Sequence, residues 1–179
     1  ELGEAWVEHH PIGVLLAVEP WNFPYYQLMR VLAPNLAAGN PVIAKHASIV
    51  PHCAETFAHL VREAGAPEGA WTNLFISQDQ VAKIIADDRV QGAALTGSEK
   101  AGSVVAAQAA KHIKKSTLEL GGKSANIIFD DADLDSAVRG SASGIFFNAG
   151  QVCSAGSRIL VHRNIHDEVV DRLIERAKK

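Results

Sequence analysis

The chain has 179 residues, with 47% apolar and 21% charged side chains and a formal net charge of −3. That length supports one domain with its own core, or one domain and part of a second, and the composition is that of an ordinary globular protein. No basic run exceeds a Lys114-Lys115 pair and none is interleaved with aromatics, so nothing points to nucleic acid. No apolar run reaches the roughly 18 residues that span a bilayer, and no signal peptide or lipidation motif is present. The expected setting is cytoplasmic, with no membrane partner.

Two cysteines, Cys53 and Cys153, make no disulfide framework, and their setting argues for a reducing compartment. No metal is expected: His9 and His10 are adjacent on an extended segment, and no Cys-x-x-Cys or His-Glu-x-x-His spacing occurs. The chain opens on Glu1-Leu2-Gly3 and closes on Lys178-Lys179 inside a helical pattern without a stop signal. It reads as a piece of a longer protein.

In chain order, residues 11–18 are a short branched apolar run bounded by prolines, which predicts a buried strand. Pro20-Trp21-Asn22-Phe23-Pro24 is a turn bracketed by prolines. Residues 25–38 have helical spacing and stop at Gly39-Asn40, with Pro34 as a kink or last turn. Residues 41–45 are a second strand, and 48–64 a helix capped by Ser48 and ended by Gly65. Strands at 72–76 and 92–96 follow, separated by a short helix at 79–86. Residues 103–111 are helical, 117–120 and 125–129 extended, 134–147 a small-residue helix, 158–162 a strand and 165–179 an amphipathic helix. Strands alternating with helices imply βαβ units, hence an α/β fold with a parallel sheet. Gly121-Gly122 is the best boundary between two domains, 1–120 and 121–179.

Several residues stand where chemistry would need them. Cys153 follows a glycine-containing turn, Gly150-Gln151-Val152, and Glu119 sits among small residues in Leu118-Glu119-Leu120-Gly121-Gly122-Lys123. A thiolate nucleophile and a carboxylate base is one reading; a small buried hydrophobe is the other for a lone cysteine. Thr96-Gly97-Ser98 leaves a strand and enters a helix, where backbone amides bind phosphate or glycine simply makes the turn. Lys45 ends a strand at the edge where parallel sheets bind ligands, as a ribose or phosphate contact or as a snorkelling lysine. Asn22, between Trp21 and Phe23 in a proline-clamped turn, is an amide suited to a developing oxyanion or to satisfying the turn itself.

Taken together, Pro20-Trp21-Asn22-Phe23-Pro24, Ala37-Ala38-Gly39-Asn40 with Lys45, Thr96-Gly97-Ser98, residues 118–123 and Gly150-Gln151-Val152-Cys153 closely resemble the aldehyde dehydrogenase superfamily. Glu119 and Cys153 are 34 positions apart, as in that family. The resemblance covers essentially the whole chain and places it in the central portion of a longer enzyme. It implies a Rossmann-like cofactor-binding domain, 1–120, and the start of an α/β catalytic domain, 121–179.

The resemblance also implies roles. Cys153 attacks an aldehyde to give a thiohemiacetal and then a thioester, Glu119 activates the hydrolytic water, and the Asn22 amide with the Cys153 backbone N–H holds the oxyanion. Lys45 contacts the adenine ribose of NAD or NADP, Gly97 and Ser98 face the pyrophosphate, and Trp21 and Leu120 line the nicotinamide end. Ser48 stands where many NAD-preferring members carry a glutamate, which opens the site to a 2′-phosphate; His46, if protonated, would assist. Residues 73–81 depart from the family's usual glycines. The pattern looks most like the bacterial succinate-semialdehyde branch. Arg30, eight residues after Asn22, is either its partner for the substrate's distal carboxylate or only a helix-surface charge. Phe147, where many of those enzymes carry a second arginine, gives the substrate an apolar wall together with Phe146. The partner implied is a small aldehyde, and the parent enzyme a homodimer or homotetramer. The competing reading is a truncated, inactive nucleotide-binding fragment; an acylating, coenzyme A-dependent variant is disfavoured by Glu119.

Overall fold

The computed structural model describes residues 3–178. They divide into two compact units between Leu120 and Gly121.

The first unit is a five-stranded parallel sheet of β1 (Val14–Glu19), β2 (Val42–His46), β3 (Trp71–Asn73), β4 (Val90–Gly97) and β5 (Lys115–Leu120), in the order β3-β2-β1-β4-β5. Its helices are α1 (Pro24–Ala37), α2 (Pro51–Glu63), α3 (Gln78–Ala86) and α4 (Glu99–Lys111). The α/β, parallel-sheet expectation holds. Successive strand residues point to opposite faces, and β1 shows the consequence. Leu16 joins Ala93 and Leu95 of β4 under Val81, Ile85, Val105 and Ala109 of α3 and α4. Its neighbour Ala17 joins Val42 and Ala44 under Leu28, Leu32, Phe57 and Val61 of α1 and α2. A sheet apolar on both faces needs helices on both faces, which is why β1 reads as a continuous apolar run rather than an alternating one. Strand order reverses between β1 and β4, the position where such sheets open a crevice.

Local chemistry sets the boundaries. α1 begins at Pro24, whose fixed φ suits a first helical position. Pro34 lies in its last turn and leaves the Arg30 carbonyl without its helical donor. Gly39 then takes φ +83°, and Asn40, buried, accepts the backbone N–H of Ile12 at 2.7 Å and of Gly13 at 3.2 Å. The Gly39-Asn40 pair is thus a clamp that fixes the entry to β1.

The helix expected from Ser48 starts instead at Pro51, and Val50 is its N-cap without a side-chain hydrogen bond. Proline disfavours helical backbone in the residue before it, so Pro51 overrides Ser48, which lies exposed in the preceding turn. The helix expected from 103 starts at Glu99, because the Ser98 hydroxyl caps it by accepting the Ala101 N–H at 3.2 Å. Strand β3 ends at Asn73, earlier than expected, with a last ladder bond from Leu74 N–H to the Ala44 carbonyl at 2.8 Å. Ser77 and Gln80 form a reciprocal capping box at the start of α3, which fills the stretch where the sequence departs from the family pattern.

The second unit contains a two-stranded parallel sheet, β6 (Ala125–Ile128) with β7 (Arg158–Val161), and helices α5 (Leu134–Phe146) and α6 (His166–Ala177). Ile128, Val138 and Val169 form its core. Asp133 caps α5 through the Ser136 N–H at 2.7 Å. Helix α5 stops at Phe146, one residue short of expectation, because the chain enters a 3-10 turn, Phe147–Gly150.

Candidate functional site

A cleft opens on each face of the first unit's sheet. On the α3/α4 face, the outward side chains at the ends of β1, β2 and β4 and the start of α4 enclose about 270 Å³. Val18, Leu95, Val81 and Val105 make an apolar floor, and Lys45, Ser98, Lys100 and Gln78 supply polar groups. Lys45 and Ser98, chosen from the sequence, are brought together here, with Gly97 ending β4 immediately before the cap. The first turn of α4 presents backbone N–H groups and the positive end of its dipole, and Lys100 adds a cation on that same turn. An apolar bed beside two ammonium groups and a helix N-terminus fits a nucleotide with its phosphates. Gln78 and Lys100 were not picked out in the sequence; recognising Ser98 as the helix cap would have placed Lys100 on the first turn.

Leu120 packs on the α3/α4 core beside Gly102, where a Cβ would stand 2.7 Å from Leu120 Cδ2. Gly102 is what lets α4 approach β5 this closely. Trp21 is 43% exposed and Asn22 half-buried, both in the bend between β1 and α1. His46 faces the other side of the sheet from Lys45. It is buried, and its Nδ1–H donates to the Glu19 carbonyl at 3.2 Å. Burial lowers its pKa, so the proposed protonated phosphate contact from His46 does not hold.

The cleft on the α1/α2 face is acidic. It encloses about 220 Å³ and is lined by Glu19, Gln27, Arg30, Thr96, Thr117 and Glu119 among others. Arg30 Nη2 lies 3.0 Å from Glu119 Oε1, with both side chains partly exposed. The candidate substrate arginine and the candidate base are thus an ion pair. The Glu119 hydrogen bond is the largest influence on Arg30 and raises its already high pKa. Behind the pair, Glu19 is only 4% exposed. Burial pushes its carboxyl up to about 8; the Thr96 hydrogen bond and the Arg30 charge oppose that rise, and the Glu119 charge adds to it. Glu19 and Gln27 gave no signal in the sequence beyond a carboxylate and an amide beside apolar runs.

In the second unit, Cys153 is an exposed free thiol. It occupies the second position of a turn closed by the Ala155 N–H to the Val152 carbonyl at 3.1 Å. The chain reaches this turn through three successive left-handed residues, Asn148 (φ 50°), Ala149 (φ 55°) and Gly150 (φ 76°). Such backbone is unfavourable for Asn and Ala and persists only where the surroundings impose it. Gly150 is required there, since a Cβ would approach the Ile145 carbonyl oxygen at 3.1 Å. Phe146 and Phe147 are both exposed, at the junction of α5 and the 3-10 turn. Among the described residues no group of His, Cys, Asp and Glu is arranged to hold a metal ion, and no helix is long and apolar enough to cross a membrane.

Comparison with known proteins places this geometry. The chain is 48% identical over 171 residues to the succinate-semialdehyde dehydrogenase [NADP(+)] of Deinococcus radiodurans, matching 96% of this chain and 36% of that protein. It is 45% identical over 174 residues to the enzyme of the same description from Mycobacterium avium, matching 97% of this chain and 37% of that one. Among solved structures, succinic semialdehyde dehydrogenase from Streptococcus pyogenes in complex with NADP+ superposes with a TM-score of 0.90 at 53% identity, over 93% of this chain and 36% of that one. A structure giving insights into cofactor and substrate selection by Gox0499 superposes at 0.94 with 54% identity, over 95% and 37%. The chain therefore spans little more than a third of the length of these relatives. The aldehyde dehydrogenase family model matches residues 3–179, and the chain belongs to that family.

Proposed function

We propose that the complete enzyme containing this chain oxidises succinate semialdehyde to succinate with NADP. The observation that carries the reading is Cys153, an exposed thiol on a tight turn reached through an imposed run of left-handed backbone. A thiol so held presents its sulfur to an incoming carbonyl without first rearranging the chain.

The chemistry divides among the chain's own residues. The Cys153 thiolate adds to the aldehyde carbon, and the Asn22 amide with the Cys153 backbone N–H receives the negative charge on oxygen. The thiohemiacetal carbon on Cys153 then gives up its hydride as the thioester forms, and bound NADP would supply the acceptor. The thioester left on Cys153 is then hydrolysed: Glu119 takes a proton from water, the oxygen joins the acyl carbon, and the C–S bond breaks to return the thiolate. Lys45, Ser98, Lys100 and the first turn of α4 hold the cofactor, with Trp21 and Leu120 toward its nicotinamide end. Ser48 and the two lysines favour a 2′-phosphate, since no carboxylate stands in the turn after Lys45 to repel it. Arg30 receives the distal carboxylate of the substrate, and Phe147 with Phe146 contributes apolar wall. The description of the relatives as NADP-dependent succinate-semialdehyde dehydrogenases supports both assignments.

The test is Cys153→Ala in the complete enzyme, assayed for NADPH formation from succinate semialdehyde. Turnover is expected to disappear while NADP binding persists. Retained turnover would remove Cys153 as nucleophile.

A further inference from the structure

Glu19 is absent from the roles just assigned, yet it shares a cleft with two residues that carry them. Three facts set it apart. Its side chain is buried, and Oε2 has no hydrogen-bond partner in the protein. Gln27, 3% exposed on the adjoining turn of α1, lines the same cleft with its Oε1 also unpartnered. The cleft of about 220 Å³ has room for several water molecules, and two orphaned oxygens beside Thr96 and Thr117 are the kind of lining that orders them.

We propose that Glu19 is a positioning residue for the Arg30–Glu119 pair, acting on it through ordered water in the polar cleft that the three side chains share. This rests on Glu119 being the deacylation base and goes on to say what controls it. The charged and titratable groups around Glu19 are few: Arg30 from α1, Glu119 from β5, and His46 from β2, which is neutral and bonded to the Glu19 carbonyl. One guanidinium thus faces two carboxyls. While Glu19 is a neutral acid, Arg30 belongs to Glu119, or to a substrate carboxylate that takes its place. Once Glu19 ionises, a buried anion competes for Arg30 and repels Glu119. Because its carboxyl titrates at about 8, that competition begins just above neutral pH.

Glu19→Gln in the complete enzyme tests this, since an amide keeps the shape of the neutral acid and never ionises. The readout is the ratio of steady-state rates at about pH 7 and about pH 9. Titration of one such group makes that ratio about tenfold in the wild type, and Glu19→Gln should bring it close to one. An unchanged ratio overturns the proposal. Should the variant not fold, infrared spectroscopy of the wild type and Glu119→Gln asks the same question. The carboxylic-acid C=O band that persists at neutral pH should titrate at lower pH in Glu119→Gln, because a like charge has been removed. An unmoved midpoint overturns the coupling. Failure of the underlying reading looks different: Glu119→Gln would then keep its steady-state turnover, whatever Glu19 does.

Discussion

The two faces of the first unit's sheet are built from the same strands yet carry opposite chemistry. Val18, Lys45 and Leu95 face α3 and α4, where the polar groups are cations and a helix N-terminus. One residue further along, Glu19 and Thr96, with Thr117 and Glu119 of β5, face α1, where two carboxyls share Arg30. The period-two alternation of a strand is enough to send a cationic cleft to one side and an acidic cleft to the other. The lesson is that adjacent residues at a strand end, Val18-Glu19 or Lys45-His46, should be read as members of different sites.

Breaking the acidic side should have the largest effect. Glu119→Gln is expected to lower steady-state turnover by about 10²–10⁴, the usual worth of a general base, while the first-turnover burst of NADPH is kept. Stopped-flow absorbance separates the two, and a lost burst would count against a role confined to deacylation. Breaking the packing of α4 on β5 comes next. Gly102→Ala puts a Cβ 2.7 Å from Leu120 Cδ2 and pushes that side-chain tip off its rotamer, costing about 0.5–1.5 kcal/mol. A lowered Tm with a raised KM for NADP is the expected result, and an unchanged Tm would show that Leu120 moves aside freely.

Breaking the cationic side should be milder and selective. Lys100→Ala should raise the KM for NADP about tenfold, the loss of one charge-assisted contact, and leave the pH profile of deacylation alone. An altered pH profile would mean that the two faces are not separate. A separate effect, outside turnover, is on stability. Glu19 has a folded pKa of about 8 against an ordinary 4.5, so the unfolded chain releases this proton first as pH rises. Its contribution is therefore greatest below about 4.5 and is lost on the way up to about 8, by at most about 1.4 kcal/mol per pH unit. Thermal melts across that window should show a shallower decline for Glu19→Gln than for the wild type; parallel curves would contradict the burial account.

The sequence was most informative where one residue has one reason to be there. The alternation of apolar runs with helical stretches gave the parallel sheet, and Gly39-Asn40 marked the end of α1. Boundaries failed where two local signals competed, as when Pro51 displaced Ser48 as the start of α2 and Ser98 drew α4 four residues earlier. Lys45, Ser98, Arg30 and Glu119 were legible as candidates, but their grouping was not. Pairing Arg30 with Glu119 needs the register of β5 beside β4 and the rotation of α1 about its axis, and no spacing in the chain encodes either. Glu19 was invisible for a related reason. Burial makes it unusual, and burial belongs to the packed sheet.

The central claim is that Cys153 carries the acyl group and that Glu119, on β5, releases it. The direct measurement is peptide mass spectrometry of the complete Glu119→Gln enzyme after mixing with succinate semialdehyde and NADP and rapid acid quench. The account predicts a succinyl thioester on the peptide containing Cys153, accumulated because its hydrolysis is slow. An enzyme that forms NADPH yet carries no acyl group at Cys153, or carries it elsewhere, would contradict it.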